Sequence, residues 1–204
     1  ERFIVNVASL TQQKNHDFLI KIYSKLREVD PTLKLILIGK GDQEECLIEV
    51  CRKKNLTVSL YSDKELRLER DVFFLGFLDN PYPFLSQSEL VVMPSRWEGL
   101  PISLLEAMVL GKWTVISDCS SAIRELMGQQ EGEFEWTAGE HYRQSNAGVI
   151  MRDVRQNSLT HWVNAIREML DQKSAGLDEF GNASETVRVH HDIENVVPIW
   201  EKLV

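Results

Sequence analysis

Two hydrophobic patterns alternate along this chain. Short, mostly apolar runs occur at Phe3 to Val7, Leu33 to Ile38 (apart from Lys34), Val72 to Leu75, Leu90 to Met93, Trp113 to Ser117 and Gly148 to Met151. Runs of this length predict strands buried on both faces. Between them, apolar residues recur every three or four positions, which predicts amphipathic helices. Phe18, Leu19, Ile22, Tyr23 and Leu26 form one such stripe; Asn15 can cap its start and Asp30-Pro31 ends it. Ser158 to Leu170 carries another, with Leu159, Trp162, Val163, Ile166, Met169 and Leu170. Further helices are expected over about Asp42 to Lys54, from Pro101 to Leu110 and over Ser121 to Met127. Pro101 suits a first turn and Gly111 a C-terminal cap. Asp79 to Ser88 reads as a short helix or turn, and the charged stretch from Asn55 to Arg70 as an excursion at the sheet edge. Gly128 to Asn146 reads as an acidic loop and Gln172 to Asn182 as a linker before a final helix, Ile193 to Leu203.

Apolar strands separated by helices imply a parallel sheet covered on both faces. The expected fold is α/β: a Rossmann-like, doubly wound parallel sheet of about six strands, helices on both faces, and a C-terminal helical tail over about 172–204. One domain over residues 1–204 is expected. The first residues already read as a strand and lack a methionine, which predicts a piece of a longer protein. No apolar run reaches the roughly 18 to 20 residues of a membrane-spanning helix. The formal charge is −8 and the pI about 5.2. That argues against nucleic acid as a partner, but not against a small anion held by one lysine and backbone amides. Cys46, Cys51 and Cys119 show no zinc spacing and read as free thiols of a reducing compartment. His16 is expected at a crevice edge, as a cap or in solvent; His141, His161, His190 and His191 suggest no ligand set, and no metal site is expected.

In a doubly wound sheet the ligand sits at the carboxyl ends of the strands. The loops there are Ala8 to Asn15, Gly39 to Asp42, Gly76 to Asn80, Pro94 to Pro101 and Asp118 to Ser121. The fourth is the most informative. It places Glu98 at the crevice, followed by Gly99, which permits close backbone approach. The helix after it offers unpaired amides over about Ile102 to Leu104, a ready anion site. Glu106 lies four residues beyond Ile102, on the same helix face. It sits among Leu104, Leu105, Ala107 and Met108, and a carboxylate in that company needs a partner.

Pro94-Ser95, then Glu98, seven residues and Glu106-Ala107-Met108 resemble the signature of family 4 retaining glycosyltransferases, the glycosyl transferases group 1. Leu10 with Gln13-Lys14, Ile38-Gly39-Lys40-Gly41, Val72 to Phe77 and Gly111 match in the same order. The resemblance spans about Val5 to Met151. It implies the C-terminal, donor-binding domain of a GT-B enzyme, which has two Rossmann-like domains with the active site between them. It implies retaining transfer of a hexose-type sugar from a UDP- or GDP-linked donor, with no metal or other cofactor, to a glycan or lipid-linked acceptor of polysaccharide or lipopolysaccharide assembly. The acceptor would be held by an N-terminal domain outside these 204 residues, so this piece alone is expected to bind donor without turnover. A cytoplasmic place is expected, with the inner face of a membrane as its extension through that missing half.

The resemblance also assigns roles. Glu98 would hold donor-sugar hydroxyls and Lys14 the diphosphate, as the catalytic pair. Glu106 would accept from the ribose hydroxyls. Gly99, Leu100, Pro101, Ile102, Ser103 and Leu104 would cradle sugar and diphosphate. Gly39, Phe74, Leu75 and Gly76 would border the donor, with the strand-three loop meeting the base partly through its backbone. Many relatives carry arginine where this chain has Ser9. Arg96 could replace it, an arginine of another domain could supply it, or activity could be weak. Lys40 could touch the base or stand in solvent, and Trp97 could stack on a sugar or simply pack. Two alternatives stay open beside the transferase: a non-catalytic nucleotide-sugar binding module, which Ser9 would favour, and an epimerase on the same fold, against which the Glu98–Glu106 spacing speaks.

Overall fold

The structure, a computed structural model, describes residues 1–63, 69–129, 135–145, 147–152, 154 and 158–176. Along the chain these form β1 (Phe3–Val7), α1 (His16–Val29), β2 (Lys34–Ile38), α2 (Glu44–Lys53), β3 (Val58–Leu60), β4 (Val72–Phe74), α3 (Tyr82–Gln87) and β5 (Leu90–Met93). There follow α4 (Ile102–Val109), β6 (Thr114–Ser117), α5 (Ser121–Leu126), β7 (Tyr142–Ser145), β8 (Gly148–Met151) and α6 (Leu159–Ser174). The strands make one eight-stranded sheet in the order β3-β4-β2-β1-β5-β6-β8-β7. Every pairing is parallel except that of β7 with β8.

The strand order explains where the helices go. From β1 the chain steps to β2 and β4 in one direction, and right-handed crossovers put α1 and α2 on one face. From β5 it steps to β6 and β8 in the other direction, which puts α4 and α5 on the opposite face. Period-two alternation then feeds two cores. Ile4, Leu35, Leu37, Val72 and Phe74 pack with α1, α2 and α6, where Phe18 meets Trp162 edge to face at 5.9 Å. Phe3, Val5, Ile36, Phe73, Val91 and Ile116 pack with α3, α4 and α5. Short α3 must carry the crossover from β4 to β5 past β2 and β1. It leaves a gap of about 260 Å³ against Phe3, Ile36, Phe73, Leu75, Pro83 and Phe84. Lys14, Glu98 and Glu106 do not line it.

The six-strand expectation is corrected to eight. Residues 55–70 contribute β3, held by a polar staple: Asp71 Oδ2 accepts from both the amide and hydroxyl of Thr57 at 2.7 Å, while Arg27 grips Oδ1. Burial raises the Asp71 pKa, but these hydrogen bonds outweigh it and hold the carboxyl below its usual range. The expected loop at 128–146 holds antiparallel β7. Its approach is pinned where Trp136 Nε1 donates to Asp118 at 2.7 Å and the Arg143 and Arg152 guanidiniums lie over the Trp136 ring. The expected linker begins too early at Gln172, because Lys173 extends α6 by donating to the carbonyls of Ser88 and Glu89 at 3.1 and 2.9 Å. The final helix expected at Ile193 to Leu203 lies outside the described residues. Pro101 is the extended cap of α4 rather than its first-turn residue; Gly111, with φ 64, ends that helix as expected.

Gly148 is fixed by space as well as by torsion. Its φ is +133, and a Cβ there would lie 2.0 Å from the Thr114 carbonyl oxygen of the neighbouring strand. Gly139 also has positive φ but faces open space. Gly148→Ala is therefore expected to cost about 2–4 kcal/mol, from left-handed strain plus overpacking. Gly139→Ala should cost about 1 kcal/mol, from torsional strain alone. Urea unfolding midpoints of the two variants check this, and equal losses would contradict it.

Candidate functional site

β1 is hydrogen-bonded on one side to β2 and on the other to β5, and the chain leaves β1 and β5 toward opposite faces. Their loops part at the carboxyl edge, which makes this the switch point of the sheet. The β1 loop runs through a single 3₁₀ turn, Gln12–Lys14, which Asn15 ends in the left-handed region at φ 58. Asparagine tolerates that conformation better than most residues. The turn aims Gln13 and Lys14 across the switch point at the β5 loop.

Several contacts close the gap, among them a bond of 3.5 Å from Gln13 Nε2 to Glu98 Oε2. The Arg96 amide donates to the Gln13 carbonyl at 2.9 Å, and Gln13 Nε2 donates to the Trp97 carbonyl at 2.8 Å. Asn15 Nδ2 donates to the Pro94 carbonyl at 3.1 Å. Lys14 Nζ donates to both Glu98 oxygens, at 2.7 and 2.8 Å. The Glu98 side chain is only 5% exposed and that of Lys14 17%. Lys14 and Glu98 are each expected here from sequence, but their mutual pairing is not. An ammonium has three protons, so two on Glu98 leave one for a further acceptor.

Below this pair lies a second polar layer. Asn6 Nδ2 donates to the Val92 carbonyl at 2.7 Å, so its Oδ1 faces His16 Nε2, 2.9 Å away, as an acceptor. Nε2 therefore carries the proton. Nδ1 is buried without a partner among the described residues. His16 is 2% exposed, so it lies in the interior instead of at the crevice edge or in solvent. Burial first, and the Lys14 ammonium second, push its pKa down to about 4.

Glu106 lies one turn into α4, and its Oε1 accepts from the Tyr82 hydroxyl at 3.1 Å. Tyr82 is the partner that the apolar surroundings of Glu106 demanded, and nothing in its sequence position marked it. The Leu104 amide is not free, since it donates to the Pro101 carbonyl at 3.0 Å. The open amides are those of Ile102 and Ser103, which precede the first carbonyl within reach. A Cβ on Gly99 would meet nothing within 4 Å, so packing does not require glycine there. The Gly99 carbonyl accepts from Ser120 Oγ at 3.2 Å, which ties its loop to the loop after β6. Leu100 and Ile102 are exposed at the same edge.

The remaining predicted residues divide. Gly39 has φ +146, and a Cβ there would sit 2.0 Å from the Ala8 carbonyl, so it lets the loops after β1 and β2 touch. Ser9 is exposed beside it. Arg96 reaches Asn15 Oδ1 at 3.2 Å, next to Lys14. Phe74 and Leu75 are buried in the two cores, so their side chains cannot meet a ligand. The Phe74 and Gly76 carbonyls accept from the Tyr61 and Gly39 amides; Tyr61 and Phe77 are the exposed rings at this loop. His141 and His161, without assigned partners in the sequence, stack on each other at 3.5 Å. No cluster of three metal-ligating side chains exists among the described residues, and no described helix is long and apolar enough to cross a membrane.

Comparison with known proteins bears on this site. The family model for "Glycosyl transferases group 1" matches residues 1–174. An uncharacterized glycosyltransferase of Methanocaldococcus jannaschii is 34% identical, over 98% of this chain and 48% of its own length. The "N-acetylgalactosamine-N,N'-diacetylbacillosaminyl-diphospho-undecaprenol 4-alpha-N-acetylgalactosaminyltransferase" of Campylobacter jejuni is 33% identical, over 64% of this chain and 32% of its own. Among solved structures, a variant of S. aureus TarM in complex with Fondaparinux, alpha-GlcNAc-glycerol and UDP superposes with a TM-score of 0.76. It is 19% identical and covers all of this chain and 35% of its own. The chain thus spans about half the length of the first relative and about a third of the others.

Two outcomes follow from the polar layers. Below pH 6.5 the unfolded chain protonates His16 while the folded chain does not, so stability is full above that pH and falls as the pH drops toward 4. The loss from this group totals about 3 kcal/mol. Urea unfolding from pH 7 to pH 4 should show it, and His16→Leu should flatten the slope in that window. Lys14→Met leaves the buried Glu98 carboxylate unpaired and should destabilise by about 3 kcal/mol, and adding Glu98→Gln should recover most of that. A double variant no more stable than Lys14→Met would show that the pair is not the stabilising unit.

Proposed function

We propose, from the premise that this chain belongs to the glycosyl transferases group 1 family, that it is the C-terminal, donor-binding half of a nucleotide-sugar-dependent retaining glycosyltransferase. One observation carries the reading. Lys14 and Glu98, which the family pattern assigns to diphosphate and sugar, pair across the switch point although they come from separate loops, and Glu106, assigned to the ribose, stands on α4, the helix that the Glu98 loop enters.

The chemistry of each group fits its role. Breaking the bond between sugar and phosphate develops negative charge on the leaving diphosphate. Donors already fixed at that position act mainly in the transition state. The third proton of Lys14 and the Ile102 and Ser103 amides are such donors. They supply positive charge locally, which suits a chain whose net charge is −8, because distant surface charges are screened within about 8 Å at physiological salt. In this reading no metal is needed. Glu98, already oriented by Lys14 and Gln13, accepts from hydroxyls of the donor sugar near the reacting carbon. Glu106 accepts from the ribose hydroxyls, and the donor phosphate helps take the acceptor proton.

UDP or GDP is the nucleotide this reading names, with a hexose-type sugar. The UDP in the S. aureus TarM complex supports the first. The diphospho-undecaprenol in the name of the Campylobacter jejuni relative supports a lipid-linked acceptor. That acceptor, and any membrane contact, belongs to the remainder of the protein, and the reading places the reaction in the cytoplasm. Catalysis requires both partners positioned, so this piece alone should bind donor and not turn it over. Arg96, beside Asn15 and Lys14, is the residue to replace the arginine that Ser9 lacks.

Calorimetric titration with UDP-, GDP- and ADP-sugars, without added metal, tests the reading. One of the first two classes should bind, and no binding to any at millimolar concentration would refute it. Glu106→Ala should weaken binding by about ten- to a hundredfold, the worth of hydrogen bonds to a charged group. Arg96→Ala should weaken it by several-fold, and unchanged affinity would remove Arg96 from the diphosphate site.

A further inference from the structure

Tyr82 begins α3, and its backbone is pinned while its ring is not. Pro81 and Pro83 flank it, and its amide donates to Asn80 Oδ1 at 3.2 Å. The residue is 46% exposed and belongs to neither core. Among the described residues its side chain makes one polar contact, an exposed hydrogen bond in which the hydroxyl donates to Glu106 Oε1 at 3.1 Å. No other side chain donates to Glu106 among the described residues. The carboxylate raises the Tyr82 pKa, first through this hydrogen bond and then through its charge, as expected where the protonated phenol is the bound form.

A phenol O–H and a ribose O–H are the same kind of group to a carboxylate: each is a neutral hydroxyl donating one proton. If Glu106 is the ribose carboxylate, as the proposed function holds, Tyr82 occupies one of its two oxygens. We propose that the Tyr82 hydroxyl is a built-in competitor for the ribose, displaced when the nucleotide binds. The exchange is one-sided in number. A ribose with two neighbouring hydroxyls can donate to both Glu106 oxygens, whereas Tyr82 satisfies one. The contact lies at the surface, with Glu106 half-buried, so exchanging it breaks no buried interaction. It also reduces the apparent affinity to the intrinsic affinity multiplied by the fraction of molecules in which Glu106 is free. Ligands that cannot offer ribose hydroxyls do not displace it, so the contact weakens the binding of ribonucleotides alone.

The test compares the 204-residue chain with its Tyr82→Phe variant, which keeps the ring and removes only the hydroxyl. Titrated with UDP and GDP, the variant should bind the preferred nucleotide about two- to tenfold more tightly, the range of one released hydrogen bond. With the 2′,3′-dideoxy form of that nucleotide, the two proteins should bind equally. Unchanged affinity for the ribonucleotide in Tyr82→Phe overturns the proposal. Weaker binding also overturns it, because Tyr82 would then be a direct ligand contact. Equal tightening for the dideoxy form overturns it as well, since the gain would not depend on ribose. Glu106→Gln separates this inference from the reading beneath it. If UDP and GDP bind but Glu106→Gln leaves both affinities unchanged, the ribose role of Glu106 fails and the competition fails with it. If Glu106→Gln weakens binding and Tyr82→Phe has no effect, only the competition fails.

Discussion

The site depends on one topological constraint: β1 lies between β2 and β5, and the chain leaves β1 and β5 toward opposite faces of the sheet. Two loops that part in this way leave an opening no helix fills. They must be joined across it or the edge would expose unpaired polar groups. Here the joining is done by polar residues of the two loops themselves. Lys14 holds Glu98, Gln13 holds the Trp97 carbonyl, and Asn15 holds the Pro94 carbonyl. The Asn15 backbone in the left-handed region is what turns Lys14 inward before α1 begins.

The same arrangement sets the electrostatics. A carboxylate as enclosed as Glu98 would be costly alone, and the ammonium of Lys14 offsets that cost while both are held in geometry. His16, directly beneath, stays neutral because burial and the nearby ammonium both oppose a further positive charge. The polar layer of Asn6 and His16 thus supports the pair without competing for its charge. Glu106, on α4, is partnered by a neutral hydroxyl. Both carboxylates are thus satisfied from within the chain, Glu98 by a cation and Glu106 by a phenol.

Most of the fold was legible in the sequence because its central strands are apolar on both faces and its larger helices carry clear stripes. The two missed strands show the limit. Val58–Leu60 is three residues long, inside a charged stretch, and exists because Asp71 captures Thr57 from beyond the following loop. Tyr142–Ser145 is polar, lies at the sheet edge and is held through Trp136 and Asp118. Such edge strands owe their form to partners elsewhere rather than to their own pattern. The same holds for Lys173, whose hold on Ser88 and Glu89 extends α6 past the point where its apolar stripe fades.

The site divides along the same line. The residue types and their order, Lys14, Glu98 and Glu106 at strand ends, could be read from sequence, because carboxyl-edge loops and the family pattern coincide there. Their pairing could not. Lys14 and Glu98 are 84 positions apart, and Tyr82 and Glu106 are 24 apart. Spacing along a chain carries no distance across a sheet or between two helices. The sequence by itself determined the central strands, the larger helices and which loops hold charge, since those follow from local periodicity and turn chemistry. The tertiary structure decided that β1 and β5 are neighbours, that Lys14 is bound to Glu98, that His16 is interior and that Tyr82 occupies Glu106. Each of these follows from the order of strands and the packing of helices on them, which only the folded chain possesses.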